Sequence, residues 1–283
     1  MGKLIVTLTY LIACLGLRLI ICDNCCGINS RQLPHYKLVK SNARSNQLIL
    51  SRKTVQNVNE CRKFASVKKA LAFNYGLEVF VLILIPISIL ISLLDYFLVF
   101  FFNKSKTTRK ICQALQCPEI YNFTTLVKDK NYKYYSTYPS FIPTGSSFTL
   151  ACVPSTGIFV FSSDNLNYSQ ARTACQKINA SLAHIISEER TNGLAKYISP
   201  NTPTFVGLSN RRNAKFWMNE FDEPLLCFNY RAWGRGQPSH SKGCVTLVQP
   251  PELQLGPFWK VVPCGSVLTF ICEISPIYSY LHS

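Results

Sequence analysis

The sequence lacks any cluster of cysteine and histidine residues with the spacing of a zinc site. Its thirteen cysteines include one CxxC pair, Cys22 and Cys25, and no second pair follows. Cysteines without metal-ligand spacing are typical of disulfides in an oxidising compartment. The sequence therefore predicts no metal and no cofactor, and it favours an extracellular protein.

Histidine is also scarce, with four residues in 283. His240 falls in a loop-like stretch and has no neighbour in the sequence pattern that would make it a general base. We identify no catalytic residue, so the sequence predicts a binding protein and not an enzyme.

Acidic residues are few in the first part of the chain. Residues 1–111 hold 16 Lys and Arg against 4 Asp and Glu, a net charge of +12, and Glu60 is the one acid between Arg31 and Lys69. Such a segment favours an anionic polysaccharide or lipid partner, although solvated surface lysines give the same composition. We expect no nucleic acid partner, because the N-terminal sequence predicts secretion.

The N-terminus has the pattern of a secretory signal. Lys3 precedes an apolar run from Leu4 to Gly16, which predicts a signal peptide over residues 1–21, with cleavage close to Cys22. This pattern predicts that the mature protein is secreted.

A second apolar segment conflicts with that topology. Of the 24 residues from Val79 to Phe102, 19 are Val, Leu, Ile or Phe, which is long enough to cross a bilayer. Behind a cleaved signal, a span here would leave eight later cysteines in the cytosol, where disulfides do not persist. Residues 77–110 are therefore either the span of a single-pass membrane protein or an artefact of the gene model. We expect a membrane as a partner only if residues 79–102 are a genuine span.

The region before this segment has the pattern of a small α+β module. Tyr36–Leu50 predicts two paired strands, a helix begins near Asn57 or Asn59, and Ala70–Gly76 predicts a further strand. The order resembles the PAN/apple module, here over residues 22–76 and possibly continuing at 111–127. Ala65 and Ala70 stand where that family has further cysteines. Residues 111–150 read as an irregular linker.

The C-terminal part alternates strands with two amphipathic helices. Gly157–Phe161 and Thr204–Leu208 read as buried strands, and helices are predicted from Asn167 to Cys175 and from Ser187 onward. Three short strand-like pieces follow, around Cys244, Trp259 and Cys272.

Over residues 155–274 this pattern resembles the C-type-lectin-like fold, within a domain at 151–275 and a tail at 276–283. Tyr168 stands before Ala and Cys where that family usually has Trp, and Phe205–Leu208 and Phe270–Glu273 match two of its signatures. The resemblance implies an α+β domain with two helices, antiparallel strands and a long loop. It also implies disulfides Cys175–Cys272 and Cys244–Cys264. A further bridge between Cys152 and Cys227 is a separate prediction that the resemblance does not carry.

The residues through which that family holds calcium and sugar are largely replaced. Its Glu-Pro-Asn or Gln-Pro-Asp tripeptide reads Gln237-Pro238-Ser239 here, and its Trp-Asn-Asp strand reads Trp259-Lys260-Val261. Calcium needs six to eight oxygen ligands, and the substitutions remove oxygens and add an ammonium group. We therefore expect no calcium at this position. A displaced site using Gln237, Asp222 and Glu223 is the remaining alternative.

The long loop keeps aromatic and cationic residues that are candidates for ligand binding. The set that we single out is Tyr230, Arg231, Trp233, Arg235, Gln237 and Lys242. Aromatic rings at such a rim stack on a sugar or form a protein hot spot, with arginines taking anionic groups. A competing interpretation places Trp233 in the core as an anchor of the loop.

Three sequons predict N-glycosylation, at Asn122, Asn167 and Asn179. Together these features predict a secreted adhesion or matrix protein with an extracellular glycan or protein ligand, resembling arthropod cuticle-associated lectin-like proteins. The alternatives are a calcium-independent lectin for chitin-like or sulfated glycans, and a membrane-anchored lectin-like receptor.

Overall fold

The computed structural model describes residues 34–83, 104–120, 125–138, 146–211, 216–239, 242–252 and 255–276. The predicted signal peptide, Asn122, His240 and most of the apolar segment lie outside these residues. The chain divides into two compact units: an N-terminal unit over Pro34–Phe141, and a C-terminal unit that includes Ile142–Ser283.

The N-terminal unit is a five-stranded antiparallel sheet with one helix packed against it. The sheet order is β1-β5-β3-β4-β2. Its elements are β1 (Lys37–Arg44), β2 (Ile49–Thr54), α1 (Val58–Val67), β3 (Ala72–Ile83), β4 (Lys104–Leu115) and β5 (Val127–Ser136).

Helix α1 begins where the sequence predicts it. The Asn57 side chain accepts a hydrogen bond from the Glu60 backbone N–H, which satisfies one of the free donors of the first turn. Cys61 and Ala65 lie one turn apart and are both fully buried against the sheet. A disulfide from Cys61 to Cys112 of β4 fixes the helix to that face.

Two predictions for this unit are wrong. Residues 111–150 are not a linker throughout, because β4 and β5 are inner strands of the sheet. β1 and β2 do not pair with each other; β1 pairs with β5 and β2 pairs with β4, at opposite edges. In both cases the partners are distant in sequence, so local patterns carry no trace of the pairing.

The start of the apolar segment continues β3 as a strand. Val79–Ile83 pairs residue for residue with the first residues of β4. In the described part of the chain, no helix combines the length and the apolar character that a membrane crossing requires.

The C-terminal unit consists of two four-stranded sheets and two helices. The sheet orders are β6-β7-β13-β8 and β10-β9-β11-β12. The strands are β6 (Phe148–Val153), β7 (Gly157–Ser162), β8 (Ala180–Leu182), β9 (Thr204–Ser209), β10 (Met218–Asn219), β11 (Cys244–Val248), β12 (Phe258–Val262) and β13 (Ile271–Ile274). The helices are α2 (Tyr168–Lys177) and α3 (Glu188–Ala195), and a 3₁₀ turn covers Leu225–Cys227.

Local signals account for both helix starts. Asn167 and Gln170 form a reciprocal capping box at α2, and Ser187 caps α3 by accepting from the Arg190 backbone N–H. Disulfides join Cys175 of α2 to Cys272 of β13, and Cys244 of β11 to Cys264. Both pairings that the family resemblance implied are confirmed.

Candidate functional site

The candidate site is the long loop between β10 and β11, residues 220–243. Its middle is tied to β12 by backbone contacts: Trp259 donates to the carbonyl of Ala232 at 2.6 Å, and Gly234 donates to the carbonyl of Trp259 at 3.0 Å. Trp259 is fully buried in the core of the unit. The loop therefore rests on the strand that carries the altered calcium-site residues.

Two aromatic residues of the predicted rim anchor the loop. Trp233 packs edge-on against Trp259 with ring centroids 5.3 Å apart, and it also contacts Trp217 at 5.3 Å. Tyr230 meets Trp259 edge-on at 5.5 Å. Both rings are half-buried and pack on the core, so the anchoring interpretation describes their contacts better than an open stacking platform.

The Arg231 side chain is hydrogen-bonded to the backbone of its own loop. Its guanidinium donates to the backbone carbonyls of Phe228, Tyr230 and Leu225 at 2.5, 2.6 and 2.6 Å. Burial lowers the pKa of the Arg231 guanidinium from its usual range. Because the fork of donors is turned onto the backbone, Arg231 shapes the loop and offers fewer donors to an anionic ligand.

Gln237 stands at the centre of the altered calcium position. Its Oε1 accepts from the backbone N–H of Val261 at 2.9 Å and from the backbone N–H of Ser239 at 3.2 Å, with the Ser239 hydroxyl at 3.3 Å. A side-chain oxygen that would face a cation in a calcium site is here an acceptor for three protein donors. This donor set does not fit calcium.

Three cations remain exposed around this position. Arg235 and Lys242 of the predicted set are exposed, and so is Lys260 of β12, which stands where the family has a calcium-binding asparagine. The described residues contain no group of three or more His, Cys, Asp or Glu side chains arranged to hold a metal ion. Together these three side chains provide exposed cationic groups near Gln237.

The alternative set around Asp222 and Glu223 is engaged elsewhere. The Glu223 carboxylate accepts from the Asn219 side-chain amide at 2.8 Å, and Asp222 lines a polar cavity together with Arg172 and Glu220. Gln237 Oε1 accepts from Val261 and Ser239, so two of the three residues already have protein partners.

Comparison with known proteins identifies this unit. A family model described as the Lectin C-type domain matches residues 164–274. These residues form a C-type lectin domain. The match confirms the family resemblance that the sequence suggested for residues 155–274.

Relatives of the lectin domain share modest identity with it. CD209 antigen-like protein D of Mus musculus is 28% identical over 117 residues, which cover 41% of this chain and 46% of that protein. CD209 antigen-like protein 2 of Macaca mulatta is 28% identical over 120 residues, with 41% and 44% covered. The matched stretch thus spans less than half the length of these relatives.

The mouse scavenger receptor C-type lectin carbohydrate-recognition domain is a similar solved structure. It shares 19% identity with a TM-score of 0.38, and the alignment covers 47% of this chain and 99% of that one.

The remaining predicted residues of the lectin domain are two cysteines and two glycosylation sites. Cys152 and Cys227 are each in a disulfide, and their pairing with one another stays a prediction. Asn179 is exposed, with a positive φ of 55°. Asn167 is half-buried and uses its Oδ1 to cap α2, which leaves its amide nitrogen as the atom that a glycan would take.

Sequence reasoning missed a buried charged cluster in the lectin domain. Glu273 is buried, and its Oε2 accepts from Arg190 at 2.7 Å and from the His184 backbone N–H at 3.1 Å. Burial opposes ionisation of Glu273, but Arg190 and His184 outweigh it and lower its pKa. For His184, burial disfavours the charged imidazolium and lowers the pKa, against the attraction of Glu273. The one available signal was Glu273 itself, an acid beside the last core cysteine.

A second missed cluster links α2 to the start of the long loop. Glu220 accepts from Arg172 Nε at 2.6 Å and from the Tyr168 hydroxyl at 3.1 Å. Tyr168 is fully buried, so the residue that replaces the family's usual Trp gives the core a hydrogen-bond donor. The loop is therefore fastened at both ends, by Glu220 and by Gln237.

Proposed function

We propose that the protein is an extracellular binding protein whose C-type lectin domain engages a glycan or protein ligand without calcium at the usual sugar site. The observation that supports this is the Gln237 Oε1, which accepts from Val261 and Ser239 of its own chain. With Lys260 replacing a ligand, calcium would have to displace internal hydrogen bonds beside an ammonium group.

Ligand recognition then falls to the exposed cations of the loop. Arg235, Lys242 and Lys260 offer charge-assisted donors to carboxylates or sulfates, and these groups bind without a bridging metal. This supports a second candidate function, a calcium-independent lectin for sulfated glycans, over one for neutral chitin-like glycans, because the aromatic rings Tyr230 and Trp233 are committed to the core.

A glycan array with and without EDTA tests both candidates. We expect binding that is unchanged by EDTA and concentrated on sulfated or carboxylated structures. Strong binding to mannose or galactose that EDTA abolishes would overturn the proposal. The matched variant is Lys260→Gln, which removes one exposed cation while leaving Gln237 and its partners in place.

An extracellular adhesion or matrix role without catalysis is part of the same proposal. Disulfides Cys61–Cys112, Cys175–Cys272 and Cys244–Cys264 support an oxidising compartment. A helix bridged to an antiparallel sheet supports the PAN/apple assignment of the N-terminal unit, an architecture resembling arthropod matrix proteins. Carbonate extraction of membranes tests the location: we expect release into the supernatant, whereas retention in the pellet would favour the membrane-anchored receptor.

A further inference from the structure

The N-terminal unit has a large excess of positive charge that its own acids do not neutralise. Its described residues include 16 Lys and Arg against four Asp and Glu. Three of the acids pair with Arg44, Arg52 and Lys53. The fourth, Glu119, is buried and accepts hydrogen bonds from Ser45 and Thr125. Most of the cations therefore face solvent without a neighbouring carboxylate.

Strand register places several cations of the unit on one face of the sheet. Lys133 of β5, Tyr75 of β3, Cys112 of β4 and Lys53 of β2 lie directly opposite one another across four strands. Directly opposed residues project to the same face, and Cys112 is bonded to α1, so this row lies on the helix side. Lys110, paired with Leu77, occupies the next row on that side.

Helix α1 adds an arginine to the same face. The Arg62 guanidinium lies over the Tyr135 ring at 5.6 Å, and Tyr135 is two residues from Lys133 on β5. Residues two apart on a strand share a face at about 7 Å. Within the described residues, no ion pair involves Arg62, Lys110 or Lys133.

Tyr75 is an accessible aromatic ring among these cations. The Tyr75 side chain is half-buried, and Lys133 of β5 lies directly opposite it. Lys110 of β4 is its diagonal neighbour on the other side, and diagonal neighbours in an antiparallel pair are about 7 Å apart. The opposite face differs. Its tyrosines, Tyr132 and Tyr134, are buried, and Glu78 accepts a hydrogen bond from Tyr132 there. Lys110 Nζ donates to the Gln56 carbonyl at 3.0 Å but, among the described residues, neither it nor Lys133 forms an ion pair. An aromatic ring flanked by cations without a carboxylate partner is therefore a feature of the helix side.

We propose that Arg62, Tyr75, Lys110 and Lys133 form a binding surface for a linear sulfated polysaccharide. The guanidinium and ammonium groups take sulfate oxygens through charge-assisted hydrogen bonds. The ring of Tyr75 contacts the apolar face of a sugar ring between two charged rows. This surface is independent of the long loop of the lectin domain, and it adds a second attachment point to the full chain.

The test is heparin binding by the full secreted chain at about 0.15 M salt, where the Debye length is about 8 Å. The triple variant R62Q/K110Q/K133Q should bind about tenfold more weakly, since exposed charge contacts contribute about 0.2–1 kcal/mol each. The matched control K37Q/K40Q/K128Q removes the same charge from exposed lysines elsewhere on β1 and β5. It should change affinity less than about threefold on the same scale. Equal losses in both variants would overturn the proposal.

Tyr75→Leu separates a polysaccharide from other polyanions. This variant should weaken heparin binding and leave binding to phosphatidylserine vesicles unchanged. Vesicle binding stronger than heparin binding, or no effect of the variant on heparin, would overturn the proposal in favour of a membrane surface. On the unmodified protein, heparin should slow acetylation of Lys110 and Lys133 more than that of Lys37 and Lys40. Equal slowing would contradict the proposed face without relying on any variant.

Discussion

Gln237 illustrates how one side chain changes the chemistry of a loop. An amide oxygen can ligate a cation or accept protein hydrogen bonds, and its surroundings decide which. Here the Val261 and Ser239 backbone N–H groups both point at Gln237 Oε1. The interaction ties the loop to β12 with neutral partners, so the loop gains order from the protein itself.

Replacing Gln237 with leucine should loosen the long loop. The Val261 N–H loses its acceptor, and a part-buried unsatisfied donor costs about 1–2 kcal/mol. Urea unfolding of the lectin domain measures the loss. The matched control is Gln176→Leu, at an exposed position of α2, where the expected change is within about 0.5 kcal/mol. Equal stability of the two variants would show that the Gln237 contacts contribute little.

The buried His184 predicts a stability that falls in acid. Burial holds its pKa below the unfolded value of about 6.5, so the unfolded chain binds the proton more readily. The contribution of His184 to the free energy of unfolding is then fully present above about pH 6.5. It falls towards lower pH by up to about 1.4 kcal/mol per pH unit until the folded pKa is reached. Glu273, whose pKa is also lowered, extends the loss below about pH 4.3.

Urea midpoints measured between pH 7 and pH 5 test this. In His184→Gln the urea midpoint should depend less on pH in that window, because the titrating group is gone while the Arg190–Glu273 pair remains. His35→Gln, in the other unit, should keep the slope of the unmodified lectin domain. A slope that is unaffected by His184→Gln would refute the assignment.

At the scale of elements, local signals predicted some features and failed for others. The starts of α1, α2 and α3 were predictable because a capping side chain and its partner are three residues apart. β5 was not recognised, although its alternation of exposed Lys133 with buried Tyr132 and Tyr134 has the period of a strand. The adjacent prolines and the tyrosine-rich composition suggested irregular structure, and the partners of β5 are distant in sequence.

Gly207 marks a close approach between two strands of the lectin domain. A Cβ at this position would lie 2.5 Å from the carbonyl oxygen of Leu182 in β8. Gly207→Ala should therefore destabilise the domain by about 1–3 kcal/mol, as overpacking does. Gly265→Ala is the matched control, because a Cβ there meets nothing within 4 Å. Thermal unfolding of both variants gives the comparison, and similar midpoints would be inconsistent with the packing described.

For the whole molecule, the two units divide the charge unevenly. The sequence predicted the basic character of the first unit and the fold of the second, because composition and family motifs are readable without a structure. It did not predict which side chains are available to a ligand. Tyr230, Trp233 and Arg231 were candidates by residue type, and only their contacts show that they serve the loop.

The central claim is that the lectin domain has exchanged calcium ligation for internal hydrogen bonds. Isothermal titration of calcium into the full chain tests it most directly, with the grafted variant Q237E/S239N/K260N/V261D as the comparison. We predict no saturable heat for the unmodified protein and calcium binding in the graft, which restores oxygen ligands. Saturable calcium binding by the unmodified protein that is lost in Gln237→Leu would contradict the account.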